Sequence, residues 1–173
     1  EHEDLLINMI NEERLQYLSS VVLGLNDALV ELTGALAGYT FAFQNARLIA
    51  LTGLITGISA SFSMAASEYL STMQEKDQRD VAVKASVYTG FTYLITVLVL
   101  IIPFLLIGVP IVSLLVTLAA AVMIILLFNY YISVAKELSF KKRFLEMTAI
   151  SLGVAALSFL VGLFVKIFIG IDI

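Results

Sequence analysis

Cysteine is absent from this 173-residue chain, which removes disulfides, thiolate metal sites and cysteine nucleophiles together. Histidine is almost absent, the single one being His2 at the very start. Charge is scarce: only 14% of residues are charged and 60% are hydrophobic. An ordinary soluble domain carries about 25% charged residues, so a water-soluble globular fold is excluded. Nor is there an excess of basic residues. The formal net charge of -4 leaves no electrostatic basis for binding nucleic acid.

What remains is long apolar runs. A bilayer core of about 30 Å takes roughly 20 helical residues. From Ala85 to Ala135 no residue is charged, a stretch too long for one span and right for two. Gly108-Val109-Pro110 marks the break, because proline holds its predecessor extended and opens a helix readily. Together with the stretches before and after it, this predicts an all-α membrane protein with five spans. They cover about residues 19–43, 48–72, 86–107, 111–134 and 147–169. Pro103 is expected to kink the third span.

Lysine and arginine gather near one set of helix ends. With the N-terminus in the cytoplasm, Arg14, Lys76, Arg79, Lys84, Lys136, Lys141, Lys142 and Arg143 lie inside. Only Arg47 and Lys166 lie outside. The expected topology is therefore N-terminus in, C-terminus out. Residues 1–16 are acidic, with Leu5, Leu6, Met9 and Ile10 at helical spacing. They read as a cytoplasmic helix, or as the remnant of an N-terminal domain, ahead of a five-helix transmembrane domain over 17–173. The chain opens on Glu1 rather than Met, so an upstream portion is expected.

The informative residues are acids inside the spans. Asp27 lies roughly 12 Å into the first helix, and Glu31 follows one turn later on the same face. Met64 and Glu68 share a face of the second helix in the same way. A carboxylate at the centre of a spanning helix costs about 2.5–3.5 kcal/mol, and such groups usually mark an ion path. Counted inward through an antiparallel hairpin, Asp27 and Met64 fall at one depth. Glu68 is one turn nearer the cytoplasm and Glu31 one turn nearer the outside. If the two faces meet, the ligands form a ladder of roughly 12 Å rather than one cage. Carboxylates with a thioether suit Fe²⁺, with Mn²⁺, Co²⁺ or Ni²⁺ close behind. The same oxygens can take protons, and that competition would couple metal movement to a proton gradient.

Plainer readings apply to several of these residues. Met64 also fits as packing filler, and Asn26 as an interhelical hydrogen-bond partner instead of a ligand. Gly34-xxx-Gly38 and Gly53-xxx-Gly57 fit close helix contacts and dimerisation. Glu75, Asp77 and Glu146 stand at the cytoplasmic mouth, as attractors of cations or as solvated charges.

Val22-Leu23-Gly24-Leu25-Asn26-Asp27-Ala28-Leu29-Val30 resembles the first-helix signature of the vacuolar iron transporter family. Ser63-Met64-Ala65-Ala66-Ser67-Glu68-Tyr69-Leu70-Ser71 is similar to its second-helix signature. The small, glycine-dotted texture from Arg143 to Gly162 is similar to the family's fifth helix. The resemblance implies a five-helix protomer, a homodimer with the ion path between subunits, and export of Fe²⁺ or Mn²⁺ from the cytosol in exchange for protons. It puts Asp27 and Met64 in the transport site and Glu68 at its cytoplasmic approach. It implies no tightly bound cofactor, the metal being cargo. Two features depart from the vacuolar branch. The link after the second span is short, without that branch's acidic helical insertion. Glu31 and Ala28 replace the small polar residue and the glycine usual there. Both point towards prokaryotic members fused to a ferritin-like domain, of which Glu1-His2-Glu3 would be the end. The expected location is then a prokaryotic plasma membrane.

Two other classes compete. In a membrane scaffold, the carboxylates would pair with a partner helix. No basic residue within a span offers that pairing in cis, so the partner would be a second protein. An intramembrane hydrolase needs a nucleophile and a base. Gly57-Ile58-Ser59 offers a serine, but the only histidine lies outside the membrane, so no enzyme is expected.

Overall fold

A computed structural model of the chain describes residues 2–136 and 139–170, with side chains over 14–134 and 139–170. The side chains of Glu1-His2-Glu3 and of the apolar residues up to Ile10 lie outside the described residues. So do the side chain of Lys136 and the residues Glu137 and Leu138.

Five helices follow one another: α1 (His2–Ala42), α2 (Ala46–Lys76), α3 (Arg79–Leu106), α4 (Pro110–Lys136) and α5 (Phe140–Ile169). There is no strand among the described residues. Each helix contains a stretch long and apolar enough to cross a membrane, the first being Arg14–Ala42. The helices run past the expected span limits wherever polar residues flank the apolar core. α2 continues to Lys76, and α3 starts already at Arg79. Charge ends an apolar run, but Glu, Lys and Arg are good helix formers and do not end a helix.

What ends the helices is local chemistry. Asn45 starts α2 by accepting the amide protons of Arg47 and Leu48 on its side chain, at 3.0 and 3.2 Å. Asp77 closes α2 in the left-handed conformation, its amide bonded to the Met73 carbonyl at 3.0 Å. Pro110 is the first residue of α4, as the Gly-Val-Pro break predicts. Ser113 steadies that turn by donating to the carbonyls of Ile107 and Val109. α3 runs on through Pro103 to Leu106.

α1 is the hub, in contact with all four other helices. It lies antiparallel to α2, as the pairs Gln16–Lys76 and Tyr39–Thr56 show. It lies parallel to α5, where Gly34 meets Val154 and Ser158 and Gly38 meets Ser158 and Gly162. At Gly38 and Gly162 the two backbones touch, and a Cβ on Gly162 would strike the Gly38 carbonyl. Gly53 and Gly57 of α2 are closed over by Leu36, Val97 and Ile101. Both glycine pairs therefore serve contacts within the protomer. Beside the first pair an apolar groove of about 460 Å³ stays open, lined by Gly34, Gly38, Ser158 and Gly162. The core is built mostly from the inner faces of α1, α3 and α4, including Leu29, Leu36, Tyr93, Leu100 and Ile125, with Ile49 and Ala50 of α2 and Ala155 of α5. Large apolar side chains cover the outside, as a lipid-facing surface requires.

Candidate functional site

Asp27 and Glu31 flank the middle of the Arg14–Ala42 stretch, one helical turn apart. Their carboxyl groups are close enough to interact directly. Asp27 is half-buried and Glu31 exposed, so the pair sits at the rim of the bundle rather than inside it. Behind them stands Tyr93 of α3, which is fully buried. Its hydroxyl donates to Glu31 Oε2 at 3.1 Å.

A second level lies towards the end of the bundle where α1, α3 and α5 begin. Ser20 donates to Glu68 Oε1 at 2.6 Å, and its carbonyl accepts from the Thr89 hydroxyl at 3.1 Å. Ser20 and Thr89 are both buried. Thr89 and Tyr93 are four residues apart on α3, hence on one face of it. One stripe of α3 hydroxyls thus backs both levels. The helices can stand this close because a Cβ at Gly24 would lie 2.5 Å from the Thr89 carbonyl oxygen. Glycine is the only residue that fits there.

Ser20 precedes Asp27 by two turns, which separates the levels by roughly 10 Å along α1. Among the described residues, no three His, Asp or Glu stand together in a group that could hold a metal. The acidic residues are therefore strung out as pairs and singles. Met64 is half-buried and packs against the core. The register set by Ser20–Glu68 and Gln16–Lys76 brings its stretch of α2 opposite Asp27.

Two clefts open near the same end. One, of about 610 Å³, lies between α1 and α2 and is lined by Gln16, Ser19, Glu68, Ser71, Glu75 and Lys76. The Lys76 ammonium is held by the Gln16 side-chain oxygen, so it is partly occupied at the cleft edge. The other, of about 510 Å³, lies between α1, α4 and α5. Its lining includes Asn26, Asn129, Lys142, Arg143 and Glu146. Glu75 thus joins Glu68 in an acidic cleft, whereas Glu146 shares its cleft with two cations. Asp77 belongs to the turn after α2 and lines neither cleft. Asn26 faces the second cleft, one residue away from Asp27.

Sequence reasoning selected the acids but not the hydroxyls that hold them. Ser20, Thr89 and Tyr93 carry a signal nevertheless. Each is a polar group in an apolar span, and a buried hydroxyl in a membrane needs a partner.

No curated protein matches the chain. A family model does: that of the VIT family, over residues 18–85. The matched segment runs from Leu18 to Ala85 and contains Asp27, Glu31, Met64 and Glu68. In this segment the chain is similar to the VIT family.

Proposed function

We propose that this protein exports divalent transition metal from the cytosol, Fe²⁺ foremost and Mn²⁺ or Co²⁺ with it, in exchange for protons. Five helices long and apolar enough to cross a membrane, and the match of residues 18–85 to the VIT family, support a multi-pass membrane protein that carries metal. The observation that carries the finer reading is the Asp27–Glu31 pair in the middle of the Arg14–Ala42 stretch of α1. Two acids so placed are expensive unless they bind something that crosses. Oxygen ligands in loose pairs favour an ion that must also leave.

Metal enters through the acidic cleft, where Glu75 and Glu68 draw cations from the side rich in Lys and Arg, the cytoplasm. It passes from Glu68 to Asp27 and Glu31, with Met64 of α2 as a soft neighbour. At each carboxylate the arriving cation displaces protons, and protons returning from outside displace the cation. The outward-facing rim position of Glu31 supports a homodimer with the path between copies. In a bilayer an exposed mid-span carboxylate needs water or protein over it. The expected location is a prokaryotic plasma membrane.

The test is flux in proteoliposomes with an imposed pH gradient, following Fe²⁺ and internal pH together. Fe²⁺ uptake that drives protons the other way, and stops in Asp27→Asn, is the expected result. Flux without proton movement would overturn the coupling. Absence of flux for Fe²⁺, Mn²⁺ and Co²⁺ would overturn transport and favour a scaffold.

A further inference from the structure

Tyr93 is not among the residues that sequence patterns single out, yet its position is unusual. Its side chain has no solvent exposure, and its hydroxyl ends on Glu31 Oε2 at 3.1 Å. A buried tyrosine hydroxyl would lose about 1–3 kcal/mol if left without a partner. The bond is therefore not given up lightly. Tyr93 approaches from α3, behind Glu31, while Glu31 itself faces the open rim of the bundle. Cargo at the rim meets the carboxylate from the other side and does not touch Tyr93.

Glu31 is thereby offered to a cation unevenly. An ion held by Oε1 alone leaves the tyrosine bond intact. An ion held by both oxygens must share Oε2 with the hydroxyl, whose O–H dipole weakens that oxygen as a ligand. Divalent cations differ in how much this matters. Calcium takes six to eight oxygens at about 2.3–2.6 Å and commonly draws on bidentate carboxylates. Smaller transition ions accept single oxygens in six-coordinate sites.

We propose that Tyr93 is a positioning residue that makes Glu31 a one-oxygen ligand, and so sets the preference of the mid-membrane pair for small transition ions over calcium. The proposal rests on the reading that Asp27 and Glu31 bind the cargo; it does not depend on transport or on proton coupling.

Competition binding on the purified full chain in detergent tests it. The probe is Mn²⁺, read from the free-ion electron paramagnetic resonance signal, and Ca²⁺ is titrated in. The wild type is expected to bind Mn²⁺ and to release it only at high Ca²⁺. In Tyr93→Phe the Ca²⁺ needed for half-displacement should fall about tenfold or more, the worth of one hydrogen bond to a charged group. Glu31→Asp, which draws the carboxylate out of reach of Tyr93, should shift the ratio the same way and serves if Tyr93→Phe folds poorly. In a Glu31→Gln background, Tyr93→Phe should change nothing further. A displacement ratio within about twofold of wild type in both single variants would overturn the proposal. So would an undiminished effect of Tyr93→Phe without the Glu31 charge, because a merely structural role would produce that. Failure of Mn²⁺ to bind the wild type would overturn the binding reading as well. A shifted ratio in a protein that moves no metal in vesicles would leave this proposal standing and remove transport.

Discussion

The two sides of α1 are built on opposite plans. Towards α5 the helix presents Gly34 and Gly38, and the partner helix answers with Ser158 and Gly162 until the backbones touch. Towards the rim it presents Asp27 and Glu31, with space in front of them and a hydroxyl-bearing helix behind. In a membrane, tight packing and interhelical hydrogen bonds replace the hydrophobic drive that soluble cores use. The closed side supplies that packing. It lets the other side carry acids that are costly to place in a membrane.

The sharpest way to break this contrast is to remove charge from the open side. Asp27→Asn keeps the shape of the side chain and should lower metal flux in proteoliposomes about 100-fold or to background. Its thermal stability should stay at or above that of the wild type, since the lost charge stabilised nothing. Next comes the approach. Glu68→Gln keeps an acceptor for Ser20 but removes the charge from the acidic cleft. Apparent KM for the metal should rise about three- to tenfold with little change at saturation.

The closed side answers to size instead. Gly162→Ala puts a methyl against the Gly38 carbonyl and should cost about 1–3 kcal/mol, read as a melting temperature lower by roughly 2–10 °C. Gly153→Ala on the same helix meets nothing within 4 Å and should be neutral or slightly stabilising in the same assay. The smallest effect belongs to the mixed cleft. Glu146→Gln leaves Lys142 and Arg143 in place, so a cation gains no route there. Metal KM should stay within about twofold of wild type. A large rise would make this cleft, rather than the one holding Glu75, the cation entrance.

Much of this arrangement is legible in the residues themselves. The uncharged stretch Ala85–Ala135 and its Gly-Val-Pro break announce two helices, and the structure turns between Leu106 and Pro110. Asp27, Glu31 and Glu68 stand out because acids in apolar helices are rare and costly. Two things escape a one-dimensional reading. One is where a helix stops, since α2 and α3 run into charged flanks that hydropathy treats as boundaries. The other is who faces whom. A small-xxx-small pattern reports that something comes close, but not whether it belongs to the same chain, and here it does. Tyr93 and Ser20 escaped for the same reason: each matters through a residue on another helix.

The glycine at position 24 has a mechanical consequence. There α1 rides directly on the α3 backbone, and the Thr89 hydroxyl ties the Ser20 carbonyl one turn away. Two helices in such contact cannot ratchet lengthwise past one another without lifting apart. Together with the Tyr93–Glu31 bond seven residues further along α1, this contact fixes the height of the mid-span acidic pair against α3.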